Sequence, residues 1–130
     1  MAKRAWVVLS GNAVGSAVLR DGFIVGSDHY TRGWVCIDVV TGKILHRSKA
    51  KLQYGSAVFA DGCYYGVCSD GVVLLMKVDK ESFKEISRFK LVEGKKDVWA
   101  TPVICDGKLY LRYHDKLYCY DISGKKEKKE

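Results

Sequence analysis

The stretch GSAVFADGCYYG, residues 55–66, decides the fold of this chain. Its Asp-Gly pair favours a tight type I′ turn, because both central residues of that turn need a positive φ. The flanking runs are rich in Val, Phe and Tyr, the residues that suit strands. Both runs are apolar at neighbouring positions rather than alternating, which is typical of strands covered on both faces. The stretch therefore predicts a β-hairpin inside a stack of sheets.

The same pattern occurs twice more, as GSAVLRDGFIVG at 15–26 and as ATPVICDGKLYL at 100–111. The three Asp-Gly pairs begin at residues 21, 61 and 106, so the steps are 40 and 45 residues. Propeller blades of four strands repeat at this period. We therefore predict an all-β chain made of four-stranded antiparallel β-propeller blades, about three blades per chain.

Further strands follow each hairpin. A third strand, ending in Asp each time, is predicted at 33–38, 71–79 and 116–121. A fourth is predicted at 43–48 and 85–90, with one helical turn at 80–84.

The third repeat has no fourth strand, whereas an unassigned strand precedes the first repeat. That strand, formed by Ala5, Trp6, Val7, Val8 and Leu9, is predicted to be the missing outer strand of a blade, which makes twelve strands in all. The three-blade segment then covers residues 1–122, and residues 123–130 form a charged, disordered tail.

Composition places the chain among ordinary globular domains. It has 130 residues, 48% of them hydrophobic and 28% charged, which suits one modest core. The net charge of +7 is interpreted as a mildly basic surface, so we expect no nucleic-acid partner. No export signal is visible and no apolar run approaches the roughly 20 residues of a membrane span. The default expectation is a cytoplasmic protein.

The five cysteines are Cys36, Cys63, Cys68, Cys105 and Cys119, an odd number without C-x-x-C spacing. All lie within apolar strand patterns, where a thiol behaves as a small hydrophobe. We expect buried free thiols, and a disulfide or a metal site is the alternative.

Two turns that follow second strands carry the candidate interaction residues. Polar loops on a rigid scaffold are where binding residues gather, although a His with an Asp also suits acid–base chemistry and an ordinary surface turn has the same composition. The candidate loop-face site consists of His29, Tyr30, Arg32, Tyr113, His114 and Asp115.

Other chemistry is weaker in this sequence. Asp28, Asp70 and Asp115 suit a cation or simply a turn, and the strand tyrosines suit either a stacking platform or a core. The sequence contains no H-E-x-x-H motif, phosphate loop or Ser-His-Asp order. We therefore predict no catalytic, cofactor-binding or metal-binding residues.

The repeat resembles the pyrroloquinoline-quinone-type, or quinoprotein-like, β-propeller repeat. Residues 55–68 are similar to the family pattern GSPVVxDGxVYVGS, and residues 36–46 to LxALDxxTGKxxW. Residues 99–112 and 118–121 look like the C-terminal blades of bacterial members. The resemblance implies the propeller scaffold over about residues 12–122.

This chain departs from the family at the positions that matter for catalysis. Family dehydrogenases have about eight blades and bind the quinone at the ring centre, beside calcium and a vicinal disulfide. Here there is no adjacent cysteine pair, and the blade-docking Trp is replaced by His46 in one repeat and by Arg88 or Phe89 in the next. We expect no quinone and no other cofactor.

Three blades alone leave two flat apolar faces and an open strand edge, which are rare on monomers. We predict a homodimer that closes a six-bladed ring, in which residues 5–9 of one copy complete the blade ending at Asp121 of the other. The predicted function is a non-catalytic scaffold that can also take up a protein partner. The alternatives are a fragment of a quinoprotein-like dehydrogenase and a weak nucleic-acid binder.

Overall fold

A computed structural model of the chain describes residues 2–8, 16–48, 52–91, 98 and 100–124. These residues contain eleven strands in three antiparallel sheets. The strands are β1 (Val18–Arg20), β2 (Phe23–Asp28), β3 (Gly33–Asp38), β4 (Ile44–Arg47), β5 (Gly55–Ala60), β6 (Cys63–Cys68), β7 (Val72–Val78), β8 (Phe83–Lys90), β9 (Val103–Cys105), β10 (Lys108–Tyr113) and β11 (Lys116–Asp121).

Each sheet is one repeat of the sequence, with its strands in chain order. We call the sheets blade 1 (β1 to β4), blade 2 (β5 to β8) and blade 3 (β9 to β11). The four-stranded prediction is confirmed for blades 1 and 2, and blade 3 has three strands, as the third repeat predicts.

The predicted Asp-Gly hairpins are present in all three blades. Asp21, Asp61 and Asp106 have φ values of 51°, 50° and 50°, and each following glycine also has a positive φ. Positive φ at both central residues is the requirement of the type I′ turn. The Asp-Gly signal therefore places the first two strands of every blade.

The link between β7 and β8 is a tight turn, not the predicted helical turn at 80–84. The Asp79 carboxylate accepts hydrogen bonds from the backbone N–H groups of Glu81 (2.7 Å) and Ser82 (2.8 Å). These bonds lower the pKa of Asp79 below its ordinary value. Since the turn closes early, β8 begins at Phe83.

The described residues include no helix long and apolar enough to cross a membrane.

The first core lies between blades 1 and 2. Trp34 is fully buried there and packs with Tyr64, Leu74 and Met76 of blade 2. Their alternate positions along the strands place these side chains on one face of each sheet.

The second core lies between blades 2 and 3. Val73 of β7 packs there against Leu109 and Leu111, all at most 2% exposed. Val73 and Leu74 are neighbours in sequence and point to opposite faces, so blade 2 is buried on both sides. Most of the strand tyrosines belong to these two cores, namely Tyr64, Tyr65, Tyr113, Tyr118 and Tyr120.

The predicted N-terminal strand is not paired in this chain. Residues 2–8 form no strand, and Leu9 lies outside the described residues. Pairing of residues 5–9 with a second chain stays a prediction. The predicted tail is described only as far as Gly124.

Trp34 provides a direct test of the blade 1–blade 2 core. Trp34→Ala should lower the free energy of unfolding by about 3–5 kcal/mol, since it empties a fully buried site. Urea unfolding followed by circular dichroism, at one protein concentration, measures this change. The control Val40→Ala, on a turn residue that is 79% exposed, should change stability by less than about 0.5 kcal/mol. Equal effects of the two substitutions would contradict the stacked-blade core.

Candidate functional site

Blade 3 has exposed apolar residues on a face that no described part of the chain covers, beside the exposed Lys108 and Arg112. Val103 and Leu117 are 56% and 70% exposed. The strand registers place Val103 opposite Tyr110 and Tyr110 opposite Cys119, so these side chains share the face turned away from blade 2. An exposed apolar patch of this kind usually marks an interaction site.

The cysteines on this face correct the expectation that all five thiols are buried. Cys105 and Cys119 are exposed and Cys63 is half-buried, whereas only Cys36 and Cys68 are buried. All five are free thiols, as predicted. The expectation treated every strand of blade 3 as an interior strand, but among the described residues one face of this blade has no neighbouring sheet.

The outer edge of β11 is also open. No strand within the described residues pairs with it, whereas blades 1 and 2 each have a fourth strand at that position. A cavity of about 280 Å³ lies beside this edge, between blades 2 and 3. Its lining is mainly apolar and includes Tyr65, Val73, Leu75, Phe89 and Ile122.

The outer face of blade 1 differs from that of blade 3. Val35 and Ile37 alternate along β3 with residues that face blade 2, yet they are only 1% and 7% exposed. This face is therefore covered along β3 within the single chain, which corrects the expectation of two equally exposed flanks. Leu19 of β1, at 63% exposed, remains open.

Trp6 holds the N-terminal segment, residues 2–8, on blade 1. Its indole N–H donates a 3.0 Å hydrogen bond to the carbonyl of Val39, in the turn between β3 and β4. The ring lies against Gly42, where a Cβ atom would be 2.5 Å from the ring atoms. Gly42 also has a φ of +74°, so the position favours glycine for two reasons.

His46 makes a similar contact at the next blade junction. Its Nε2 lies 2.6 Å from the Asp79 carbonyl, in the turn between β7 and β8, and therefore donates to it. Its ring packs edge-on against Phe83, with the centroids 4.8 Å apart. His46 lies on the fourth strand of blade 1 and binds blade 2. Trp6 thus binds blade 1 in the way that a fourth-strand residue binds the following blade.

A buried carboxylate anchors the predicted interaction turn of blade 1. Asp28 is 2% exposed, and its Oδ2 lies 2.6 Å from Nη1 of Arg47. Its two oxygens also accept hydrogen bonds from the Thr31 hydroxyl (2.7 Å) and the Tyr30 N–H (3.1 Å). A buried charge is stable only when it is paired and hydrogen-bonded, so this network fixes the turn at 29–32.

Arg32 closes that turn in a left-handed conformation, with a φ of 52°. Its carbonyl accepts a 2.8 Å hydrogen bond from the Leu52 N–H, which ties the turn to the link toward blade 2. The Arg32 side chain is exposed and lines a cavity of about 230 Å³. The other polar lining residues come from the link and from blade 2, namely Gln53, Asp70 and Arg88, and the rest of the lining is formed by Leu52, Cys68 and Val72.

The structure separates the six residues of the predicted loop-face site. His29 and Tyr30 are exposed, and the His29 ring packs edge-on against Tyr54 at 4.7 Å. Tyr113 is 7% exposed and belongs to the second core, so its prediction as an accessible binding residue is wrong. Blade 2 lies between the turn at 29–32 and the turn at 114–115. The sequence did not predict that Gln53 and Arg88 line a cavity with Arg32. Gln53 lies in the link between blades 1 and 2, and Arg88 lies on the edge strand β8.

The two buried thiols are unsuited to nucleophilic chemistry. Burial, followed by the nearby Asp79 carboxylate, raises the pKa of Cys36 to about 11. Burial, followed by the Asp70 carboxylate, raises that of Cys68 to about 12. Both thiols are protonated at neutral pH, and the thiolate is the reactive form.

No group of three or more His, Cys, Asp and Glu side chains within the described ranges is placed to hold a metal ion. The carboxylate of Asp28 is engaged with Arg47 instead. Absence of a metal or cofactor in the functioning protein stays a prediction.

Three stacked antiparallel sheets with one open blade define this chain as a β-propeller protein. The chain aligns with the crystal structure of BamB from Moraxella catarrhalis at a TM-score of 0.71 and 16% identity, over 92% of this chain and 37% of that one. It aligns with quinohemoprotein alcohol dehydrogenase from Comamonas testosteroni at 0.58 and 19%, over 78% and 17% of the two chains.

A third structure of similar size, the computationally designed Ika4 protein, aligns at a TM-score of 0.54 and 12% identity, over 94% of this chain and 99% of that one. No protein-family model and no curated protein sequence matches the chain. At these identities the likeness establishes the propeller fold. The chain spans little more than a third of the BamB structure.

Thiol chemistry tests the placement of the cysteines. Cys36 and Cys68 should resist iodoacetamide at pH 8 in the native protein, because their thiols are buried and protonated, and should react in urea. Mass spectrometry of the digested protein reads out each site. Rapid native labelling of either residue would contradict the packing of the first core.

Proposed function

We propose that this protein is a non-catalytic propeller scaffold that closes its ring by self-association, with two copies forming a six-bladed ring. The observation that carries the proposal is the open blade 3. Its outer face exposes Val103 and Leu117, and its edge strand β11 lacks a partner within the described residues. Both features favour contact with another chain.

In this proposal a second copy supplies the neighbouring sheet that blade 3 lacks among the described residues. Blades 1 and 2 stack face to face, as do blades 2 and 3, so the repeat is suited to stacking on itself. Two-fold closure would bring blade 3 of each copy against the part of blade 1 of the other that remains open, around Leu19. A dimer of this symmetry is the commonest closed assembly of identical chains.

The N-terminal segment is suited to complete the open blade. Trp6 binds blade 1 as a fourth-strand residue of a preceding blade would, and in the closed ring that preceding blade is blade 3 of the second copy. In this proposal residues 5–9 pair with β11 of the partner, and alternate side chains enter the cavity beside Phe89 and Ile122. Val7, whose side chain is 76% exposed in the single chain, would then be buried against the partner.

The non-catalytic part of the proposal is supported by the chemistry of the described residues. Their buried thiols are protonated, and their buried carboxylate is occupied by an ion pair. The similarity to the alcohol dehydrogenase covers 17% of that chain and concerns the fold alone. Turnover of alcohols or sugars in a dye-linked assay, after addition of the quinone and calcium, would refute this part.

The mass in solution tests ring closure. We expect light scattering to give twice the chain mass of 14.6 kDa. Leu117→Glu should yield the monomer, because it puts a charge into the proposed interface. The matched control Ile86→Glu, at a residue of the edge strand β8 that is 44% exposed, should leave the dimer intact, because Ile86 takes no part in the proposed interface. A stable monomer of the unmodified protein would overturn the proposal.

Cys119 reports on the same face without relying on mass. It should be protected from alkylation in the dimer and should react in the Leu117→Glu monomer. Equal labelling in both would show that another surface forms the dimer.

Trp6 tests the role of the N-terminal segment. Trp6→Ala should weaken dimerisation by about 30-fold or more, since buried Trp side chains at interfaces contribute about 2 kcal/mol or more. Sedimentation over a range of concentrations measures the dissociation constant. The control Arg4→Ala changes an exposed residue of the same segment and should have little effect. An unchanged constant for Trp6→Ala would refute strand exchange while leaving the stacking of faces untouched.

A further inference from the structure

The turn at 29–32 has a construction that the stacking of blades does not require. The carboxylate of Asp28 fixes this turn by an ion pair with Arg47 and by hydrogen bonds from the Thr31 hydroxyl and the Tyr30 N–H. This carboxylate is almost fully buried. Loops held in this way on a rigid sheet present their side chains in a fixed arrangement, which is what a binding site needs.

Arg32 is an unexpected residue for its backbone conformation. Its φ of 52° lies in the left-handed region, where Gly or Asn is easier to accommodate. The guanidinium makes no hydrogen bond or ion pair with other described residues, so the fold gains little from it. A strained residue with an unused charged side chain suggests a role in binding.

The cavity that Arg32 lines has the chemistry of a carboxylate site. Arg88 lines it as well, and its Nε and Nη2 both lie 2.6 Å from one oxygen of Glu85, which orients the guanidinium. Guanidinium groups bind carboxylates through paired N–H donors. Gln53 adds a further donor or acceptor to the lining.

The size and charge of the cavity limit the class of ligand that it can bind. The cavity holds about 230 Å³, below the roughly 300 Å³ at which small-molecule pockets begin, so it suits one side chain. Asp70 also lines it and repels a doubly charged phosphate. Asp70 can instead accept an N–H, so a singly charged carboxylate with N–H donors beside it fits both partners.

The surroundings suit a protein segment. Tyr30 is 69% exposed next to the cavity turn, and His29 packs against Tyr54. Tyr and Arg are the residues that most often dominate binding energy at protein interfaces. The net charge of +7 would also attract an acidic partner from a distance.

We propose that the loop end of blades 1 and 2 binds an acidic peptide segment of a partner protein, with Arg32 and Arg88 binding an Asp or Glu carboxylate. This site does not involve the open face of blade 3, and it does not depend on ring closure.

Fluorescence anisotropy with a labelled peptide of alternating Glu and Gly tests the proposal on the full chain. The peptide should bind, and the same peptide with Gln in place of Glu should bind at least about tenfold more weakly. Arg32→Asn should also weaken binding about tenfold or more, because Asn tolerates the left-handed conformation while the charge is lost.

Lys43→Asn is the matched control, since it removes one exposed positive charge from the opposite end of the strands. It should change the affinity less than threefold, as an effect of long-range charge alone. If Arg32→Asn fails to fold, the affinity for the Glu peptide is measured with Arg88→Gln instead, a change on an exposed edge strand.

Three outcomes would overturn the proposal. They are no binding of the Glu peptide at millimolar concentration, equal binding of the Gln peptide, and equal weakening by Lys43→Asn. Tighter binding of a single-stranded RNA than of the Glu peptide, lost in Arg32→Asn, would assign the site to nucleic acid instead. The dimer mass of Arg32→Asn should equal that of the unmodified protein, which separates this test from that of self-association.

Discussion

Double-sided burial of blade 2 is the constraint on which the rest of the structure depends. Along β7, Leu74 points toward blade 1 and Val73 toward blade 3, and each is almost fully buried. A sheet that is apolar on both faces cannot leave either face in water, so β5 to β8 need a neighbouring sheet on each side. Blade 3 carries Val103 and Leu117 beside Lys108 and Arg112 on its outer face, and among the described residues it has a neighbouring sheet on only one side. The exposed Val103 and Leu117 follow from this unequal cover.

The parts of the fold that local sequence encodes were predictable. The Asp-Gly pairs specify the turn type at three places, and the third strands at β3 and β11 have the predicted bounds. The wrong predictions concern features that the local sequence does not encode. Asp79 closes its turn through two backbone N–H groups, a tight Asx-type turn that the spacing of charged residues at 80–84 did not reveal. The burial of Tyr113 and the exposure of Cys119 depend on which face of blade 3 has a neighbour, which is a property of the whole arc.

The candidate sites were predictable to different degrees. Turn composition identified His29, Tyr30 and Arg32, because polar residues after a second strand must lie at the loop end of a blade. It could not identify Gln53 or Arg88 as neighbours of Arg32, since they reach the cavity from a link and from an edge strand. The sequence likewise placed Trp6 in a strand that completes a blade. It did not indicate the contact of Trp6 with Gly42, where a Cβ atom would lie 2.5 Å from the ring atoms.

The two ends of the strands are under different constraints, and this difference supports the proposed binding site at the loop end. At one end every blade has the same Asp-Gly turn, and the turns between third and fourth strands dock the rings of Trp6 and His46. Loss of these ring contacts would disturb the junctions between blades. At the other end the turns differ in length, covering residues 29–32 in blade 1, 69–71 in blade 2 and 114–115 in blade 3. Because these turns differ from blade to blade, their exposed side chains are free to follow the needs of a ligand. A buried ion pair such as Asp28–Arg47 at that end contributes little to stacking, and its cost is explained if it fixes a binding turn.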